Sequence, residues 1–205
     1  MEKVDLRRTL DGYRARQGEF RLLDVPETRY LMIDGAGDPN TSSSFEQAVR
    51  TLYPTAYALK FIGRERTDLD FVVPPLEGLW WADDMDAFTA DRDKSQWRWT
   101  LMLMVPDWLD DDVIAAALEA VAPKEPPRLA DLRVEVLAEG RCVQTLHIGT
   151  FDDEAAALQT MHHGFIPSHG LRMTGRHHEI YLSDFRRTAP QRRRTILRQP
   201  VTARE

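Results

Sequence analysis

The feature that most constrains the fold is an order of elements that occurs twice: a strand ending at a glycine, a helix, and a strand that contains one glutamate. The two copies comprise, in order, a strand over 30–35 and 142–149, a helix from Phe45 and from Asp153, and a strand through Glu77 and through Glu179. Two copies of such a unit usually pair about a pseudo-two-fold axis. The pattern therefore predicts an α+β fold of tandem, pseudo-symmetric strand-helix-strand-strand modules, with antiparallel sheets, helices on one side and a ligand cleft between the modules.

The 205 residues suit one domain made of two small halves that share a core. We expect a single domain over 1–205, in which module one spans about 18–108, module two about 129–185, and 186–205 is a basic, extended tail.

Several connecting segments have their own patterns. Residues 4–16 are spaced for a short polar helix, and the helix from Phe45 should bend or split at Pro54. The acidic run ADDMDAFTADRDK (82–94) is interpreted as a loop. The run LRVEVLAEGRCVQTLHIG (132–149) predicts a hairpin that turns at Ala138–Glu139–Gly140.

Composition limits the classes of function. The formal net charge is -6, so we expect neither nucleic acid nor an anionic membrane as a partner. No apolar run approaches the roughly 20 residues of a membrane span, and the charged N-terminus lacks a signal-peptide core. The single cysteine, Cys142, excludes an internal disulfide and fits a reducing compartment. These features predict a cytoplasmic protein that is a monomer or a homodimer.

Strand alternation sorts the candidate site residues, because successive side chains of a strand face opposite sides of the sheet. Glu77 and Trp81 share one face in PPLEGLWW, opposite Trp80. In HHEIYLSD, a face is shared by His177, Glu179 and Tyr181. A face that carries a carboxylate is the candidate for a cavity, since a packed core penalises an unpaired charge. We therefore expect Glu77 and Glu179 near the cleft, with Trp81 facing the ligand.

Other interpretations of these residues stay open. Glu77 also fits a solvated strand position, and Trp80 fits a core position. Tyr53 and Tyr57 on the first long helix are weaker candidates for the cavity wall. The six histidines all lie between 147 and 178 but lack metal-ligand spacing, so we predict neither a metal site nor a cofactor.

The runs TRYLMIDGAGDPN, VVPPLEGLWW, WRWTLMLMVP, LHIG and HHEIYLSDFRRTAPQRRRTILRQPV together resemble the GyrI-like small-molecule-binding domain family over nearly the whole chain. The likeness is strongest to its stand-alone members of the cyclopropanoid cyclopropyl hydrolase type. The resemblance implies two fused modules with a ligand cleft between them. It also implies that Glu179 is the central pocket glutamate, Tyr181 the strand tyrosine, and Trp80 and Trp81 the tryptophan pair. One departure is Phe185, where members often have proline.

The resemblance and the residue types imply two classes of function. The first is a hydrolase that opens electrophilic cyclopropanoid compounds for detoxification, with Glu179 and Tyr181 as catalytic residues. The second is a non-catalytic protein that binds, senses or sequesters hydrophobic aromatic or cationic small molecules. A third interpretation, inhibition of gyrase by protein–protein contact, requires a surface that the sequence does not identify. The chemistry of the first class needs a base near water and a hydrogen-bond donor near the substrate oxygen.

Overall fold

The protein is described by a computed structural model that covers residues 3–82 and 94–204. The predicted acidic loop lies almost entirely outside these described residues. The strands are β1 Lys3–Val4, β2 Arg21–Val25, β3 Thr28–Ala36, β4 Asp70–Phe71, β5 Glu77–Trp81, β6 Arg98–Met104, β7 Arg133–Leu137, β8 Gly140–Ile148, β9 Leu171–Met173, β10 His177–Tyr181 and β11 Arg194–Ala203. The helices are α1 Leu6–Thr9, α2 Ser43–Thr67, α3 Asp111–Val121, α4 Glu154–Gln159 and α5 Ile166–Ser168, with a π-helical turn at Thr160–Phe165 between the last two.

The large sheet confirms the predicted α+β architecture. Its main path runs β2-β8-β11-β10-β5-β6-β3-β7, and β9 pairs with the end of β11. Module one supplies β3, β5 and β6. Module two supplies β8 and β10, together with β11 from beyond its predicted end, so the order is symmetric about the β5–β10 junction. Neighbouring strands of this sheet are antiparallel. The longer helices pack on one face, where they cover the largest hydrophobic core.

The predicted hairpin over 132–149 is wrong, because β7 and β8 do not pair with each other. β7 pairs with β3 of module one, and β8 pairs with β2 and β11. Thus β2, which begins module one, pairs with a strand of module two, and β7, which begins module two, pairs with a strand of module one. Alternation of side chains identifies a strand but carries little information about its partner.

The C-terminal segment is not a tail. Residues 194–203 form β11, which lies between β8 and β10, and its residues 195–201 are buried. Its one buried arginine, Arg198, is neutralised by Glu139 at 2.8 Å. A basic strand can lie inside a sheet when its charge is paired in this way.

Helix boundaries also differ from the prediction. Pro54 lies inside α2 without splitting it, since one face of the helix buries Leu52, Ala56 and Leu59 against the core. The predicted N-terminal helix is reduced to α1 and a 3-10 turn at Asp11–Tyr13. This N-terminal segment packs on the sheet face opposite the longer helices.

Candidate functional site

A cavity of about 520 Å³ lies on the helical face of the sheet, beside the β5–β10 junction. It is the place where the two modules meet, as the repeat predicted. Its floor comes from β5 and β10, and its walls come from the start of α2, from α4 with the π-helical turn, and from connecting segments. The lining residues are Pro39, Asn40, Phe45, Trp80, Trp97, Phe151, Glu154, Ala155, Leu158, Gln159, His162, His163, Glu179, Tyr181, Phe185 and Arg193.

The pairing of β5 with β10 decides which side chains reach this cavity. Glu179 lies opposite Gly78, and His177 lies opposite Trp80. Directly paired residues share a face, so Trp80 joins Glu179 on the cavity side. The expectation that Trp81 rather than Trp80 faces the cavity is therefore wrong. Trp81 is half-buried on the other face, where the Arg176 guanidinium stacks 3.6 Å from its ring centroid.

A chain of hydrogen bonds runs along the cavity floor. The indole Nε1 of Trp80 donates to the Tyr181 hydroxyl at 3.0 Å, and this hydroxyl donates to Oε2 of Glu179 at 2.8 Å. Gly78 makes room for the chain, because a Cβ at that position would lie 2.8 Å from the Trp80 Nε1 and 3.2 Å from the Tyr181 hydroxyl. This hydrogen-bond chain fixes the orientation of the Glu179 carboxylate, and Glu179 as a whole is only 8% exposed.

The electrostatics of the floor keep Tyr181 protonated. Burial raises the pKa of the Tyr181 phenol well above its ordinary value, and the charges of Glu179 and Glu154 raise it further. The phenol therefore acts as a hydrogen-bond donor throughout the neutral range.

His177 lies on the same face of β10 as Glu179, but it is buried and is not among the residues that line the cavity. Its Nε2 lies 3.8 Å from Oε1 of Glu179. Burial lowers the pKa of His177 well below its ordinary value, and nearby His162 and His178 add to this effect. The imidazole is therefore neutral at pH 7. It therefore lies beside the Glu179 carboxylate as an uncharged ring and not as a charged partner.

The cavity walls are aromatic. Phe45 stacks on Trp80 with ring centroids 6.3 Å apart, and Trp97 meets Trp80 edge-on at 5.7 Å. Phe151 meets Tyr181 edge-on at 5.7 Å. Rings held in mutual contact form a rigid, apolar lining that suits a flat aromatic ligand.

Several of these groups have no recognisable signal in the sequence. Glu154 is 3% exposed and lines the cavity from the first turn of α4, yet it follows Asp152 and Asp153 in an acidic run that fits a solvated helix start. His162 lines the cavity from the π-helical turn, and burial together with His163 lowers its pKa to about 4. Turns of this kind often occur at functional sites, but spacing alone does not reveal them.

Glu77 lies neither at the cleft nor at a solvated strand position, which are the two places that the sequence left open. It is completely buried on the sheet face opposite the cavity, so the expectation that it lies at the cleft is wrong. Its carboxylate accepts hydrogen bonds from Tyr13 at 2.5 Å and from Tyr30 at 3.2 Å, and it lies 2.9 Å from Nε2 of His178. These partners compensate for its desolvation.

The two helix tyrosines also lie outside the cavity lining. Tyr53 is half-buried with Arg186 over its ring at 5.3 Å, and Tyr57 is 48% exposed and stacks on Phe61. Within 3–82 and 94–204, no group of three or more His, Cys, Asp or Glu side chains is placed to hold a metal ion. None of the described helices is long and apolar enough to cross a membrane.

Comparisons with known proteins agree with this architecture. The sequence model of the GyrI-like small molecule binding domain matches residues 18–201. A conserved protein from Listeria innocua is 37% identical, with a TM-score of 0.87, and the match covers 98% of this chain and 100% of that one. A protein described as a hydrolase from the same organism is 35% identical, with a TM-score of 0.85 and the same coverage.

More distant likeness shows the fold alone. The C-terminal domain of EcmrR is 12% identical, with a TM-score of 0.54, over 90% of this chain and 98% of that domain. No curated protein sequence matches the chain significantly.

Proposed function

Because the chain belongs to the GyrI-like small molecule binding domain family, we propose that its cavity binds flat aromatic small molecules and hydrolyses electrophilic cyclopropanoid compounds among them. The observation that carries this proposal is the hydrogen-bond chain from Trp80 through Tyr181 to Glu179 on the floor of an aromatic cavity. It supports the proposal because an oriented carboxylate and a phenol lie side by side in the cavity that we propose binds the aromatic ring. The 35% identity to a protein described as a hydrolase supports a catalytic interpretation.

The proposed substrate is a cyclopropane fused to a dienone. Glu179 takes a proton from a water molecule, and the water oxygen forms a bond to a ring carbon. The strained carbon–carbon bond breaks, and its electron pair moves through the dienone to leave a phenolate. The phenolate then takes up a proton, so the net change is the addition of one water.

The hydrogen-bond chain suggests how that last proton arrives. In the resting site the only hydroxyl proton of Tyr181 is donated to Glu179. Once Glu179 has gained the proton from water, it can donate to the Tyr181 oxygen, and the phenol is released to donate to the developing phenolate. Tyr181 first orients the base and then relays its proton. General acid–base help of this kind contributes about 100- to 10,000-fold to a rate.

Substitution of the base is the direct test. Glu179→Gln keeps the shape of the side chain and removes its basicity, so turnover of a cyclopropanoid compound should fall about 100-fold or more. Tyr181→Phe should cost less, since Glu179 keeps its basicity. Turnover is measured as the mass gain of one water, and Glu65→Gln, at an exposed position of α2, is the matched control. Wild-type turnover by Glu179→Gln would contradict the assignment of the base.

A second candidate function is binding without turnover. The observation that favours it is the presence of two carboxylates, Glu154 and Glu179, among aromatic walls, which suits an aromatic cation. 1-Methylquinolinium and 1-methylnaphthalene have the same shape but differ in charge. A binder should prefer the cation and lose that preference in Glu179→Gln, and the wild-type protein should leave cyclopropanoid compounds unchanged.

A further inference from the structure

The sheet face opposite the cavity contains a buried cluster of charged and phenolic side chains, called here the back cluster. Its members are Tyr13, Tyr30, Glu77, Glu139, His178 and Arg198. Burial of this much charge is costly unless each group is paired. The chemistry proposed for the cavity does not use any of these residues, so the back cluster needs its own explanation.

The surroundings of His178 define its charge state. Its Nδ1 lies 2.9 Å from Oε1 of Glu139, and its Nε2 lies 2.9 Å from Oε2 of Glu77. An ionised carboxylate only accepts hydrogen bonds, whereas a neutral imidazole has a single N–H to donate. Both contacts are hydrogen bonds at the same time only when the ring carries two protons and a positive charge.

The partners of both carboxylates stabilise negative charge. Although burial alone would raise the pKa of Glu139, His178 and Arg198 lower it to about 2. Glu77 receives the hydroxyl protons of Tyr13 and Tyr30, whose own pKa values burial raises well above the ordinary range. With a charged His178, the back cluster holds two negative and two positive charges.

The remaining titratable groups near His178 do not supply another positive charge. His177, next in the chain, faces the other side of the sheet and is neutral, because burial lowers its pKa. Burial raises the pKa of Cys142 to about 12, so its thiol is uncharged. Burial acts to lower the pKa of His178, but Glu139 and Glu77 outweigh it and raise the pKa above its ordinary value.

The N-terminal segment, residues 3–17, covers the back cluster. Tyr13 donates to Glu77 at 2.5 Å, Arg198 donates to the Gly12 carbonyl at 2.7 Å, and Gln144 donates to the Arg14 carbonyl at 2.8 Å. Apolar contacts around Leu6 and Tyr13 add to these bonds. The segment precedes residue 18, where the family match begins. It is attached to the sheet of the family domain through the same groups that surround His178.

We propose that the N-terminal segment is a latch, closed by the charged His178 and released as the pH rises. Loss of the His178 proton would leave two buried carboxylates facing a single arginine and would remove one of the hydrogen bonds that His178 makes. The closed state would then lose the arrangement that presents Glu77 to Tyr13. Opening lets water reach the carboxylates and relieves this imbalance.

The direction of the pH effect follows from the raised pKa of His178 in the closed state. The stabilisation is complete below the pKa of the open state, near 6.5 for an exposed histidine, and is lost as the pH rises through the higher pKa of the closed state. Between these two values the open population should increase by up to about tenfold per pH unit. This relation does not depend on the function proposed for the cavity.

Trypsin cleavage of the full-length protein measures the open population, because Arg14 and Arg16 lie in the latch. Cleavage rates are determined from pH 6 to 9 and divided by those of a free peptide of residues 1–17, which removes the pH dependence of trypsin itself. We expect the normalised rate of wild-type protein to rise with pH over this range, by up to about tenfold per pH unit. His178→Gln should be cleaved quickly at every pH, and His169→Gln, at an exposed position, should behave as wild type.

Hydrogen exchange on the wild-type protein keeps the proposal testable even if His178→Gln does not fold. Amides of residues 3–17 should lose protection with rising pH, beyond the intrinsic exchange rate, while amides of α2 keep theirs. A pH-independent opening in wild-type protein, a pH dependence that persists in a folded His178→Gln variant, or an equal loss of protection in α2 would overturn the latch.

Discussion

Gly78→Ala is the substitution that most directly probes the hydrogen-bond chain of the cavity floor. The added methyl group would meet the Trp80 Nε1 at 2.8 Å, the Tyr181 hydroxyl at 3.2 Å and the Trp80 Cε2 at 3.3 Å. Contacts this short cannot persist, and β5 has neighbouring strands on both sides that limit its movement. We therefore expect the Trp80 ring and the Tyr181 hydroxyl to separate.

The size of the effect follows from opposing terms. A methyl group forced into a packed interior costs about 1–3 kcal/mol, and removal of a strand glycine returns about 0.5–1 kcal/mol of backbone entropy. The expected net loss of unfolding free energy is about 0–2.5 kcal/mol. Loss of the Tyr181 bond to the Glu179 carboxylate would add to this decrease, because hydrogen bonds to charged groups contribute about 1.5–3 kcal/mol to stability.

Urea unfolding and a double-mutant cycle with Tyr181→Phe give the measurement. If Gly78→Ala already breaks the hydrogen-bond chain, Tyr181→Phe should lower the free energy of unfolding less in that background than in wild type. The expected coupling energy between the two substitutions is about 0.5–3 kcal/mol. Gly164→Ala is the matched control, since its Cβ would meet nothing within 4 Å. Unchanged stability together with strictly additive losses would refute the argument that Gly78 makes room for the chain.

Three further predictions concern the cavity wall, the back cluster and the buried cysteine. Trp80→Phe should weaken the binding of a flat aromatic ligand by roughly three- to tenfold, whereas Trp81→Phe should leave it unchanged; fluorescence titration decides this, and the opposite ranking would return Trp81 to the cavity. Tyr13→Phe should lower the free energy of unfolding in urea by about 1–3 kcal/mol, because it removes a donor from the buried Glu77 carboxylate; an unchanged midpoint would contradict this. Cys142, whose pKa burial raises to about 12, should resist iodoacetamide until the protein unfolds, and rapid alkylation of native protein would count against it.

The fold was largely predictable because it rests on patterns that recur along the chain. The repeated strand-helix-strand order indicated two modules, and the sheet order is symmetric about β5 and β10 as that repeat implies. The pairing partners of individual strands were harder to predict from the sequence. β7 follows module one in sequence, yet it pairs with β3, and β2 pairs across with β8. Such exchanged pairings join strands that are far apart in sequence and form only when the two modules pack together. Local sequence patterns carry little information about them.

The candidate site was predictable only in part. Glu179 and Tyr181 lie together on one strand face, as alternation within a strand indicated, and they are joined by a hydrogen bond. Glu154 and His162 come from a helical segment whose sequence fits a solvated surface as well as a cavity wall. Their burial depends on how that segment lies against β10, and no single element determines this.

The misplacement of Glu77 has one physical cause, and it explains the error over Trp81 as well. The repeat aligns Glu77 with Glu179, but in the sheet Glu179 lies opposite Gly78. Because side chains alternate, an offset of one residue moves every side chain of a strand to the other face. The same offset moves Trp80 into the cavity and leaves Trp81 outside. It also gives the junction two different faces: a cavity over Glu179, and a paired, buried cluster around Glu77. The pseudo-symmetry of the modules therefore extends to the backbone but not to the chemistry, and each face must be tested by its own substitutions.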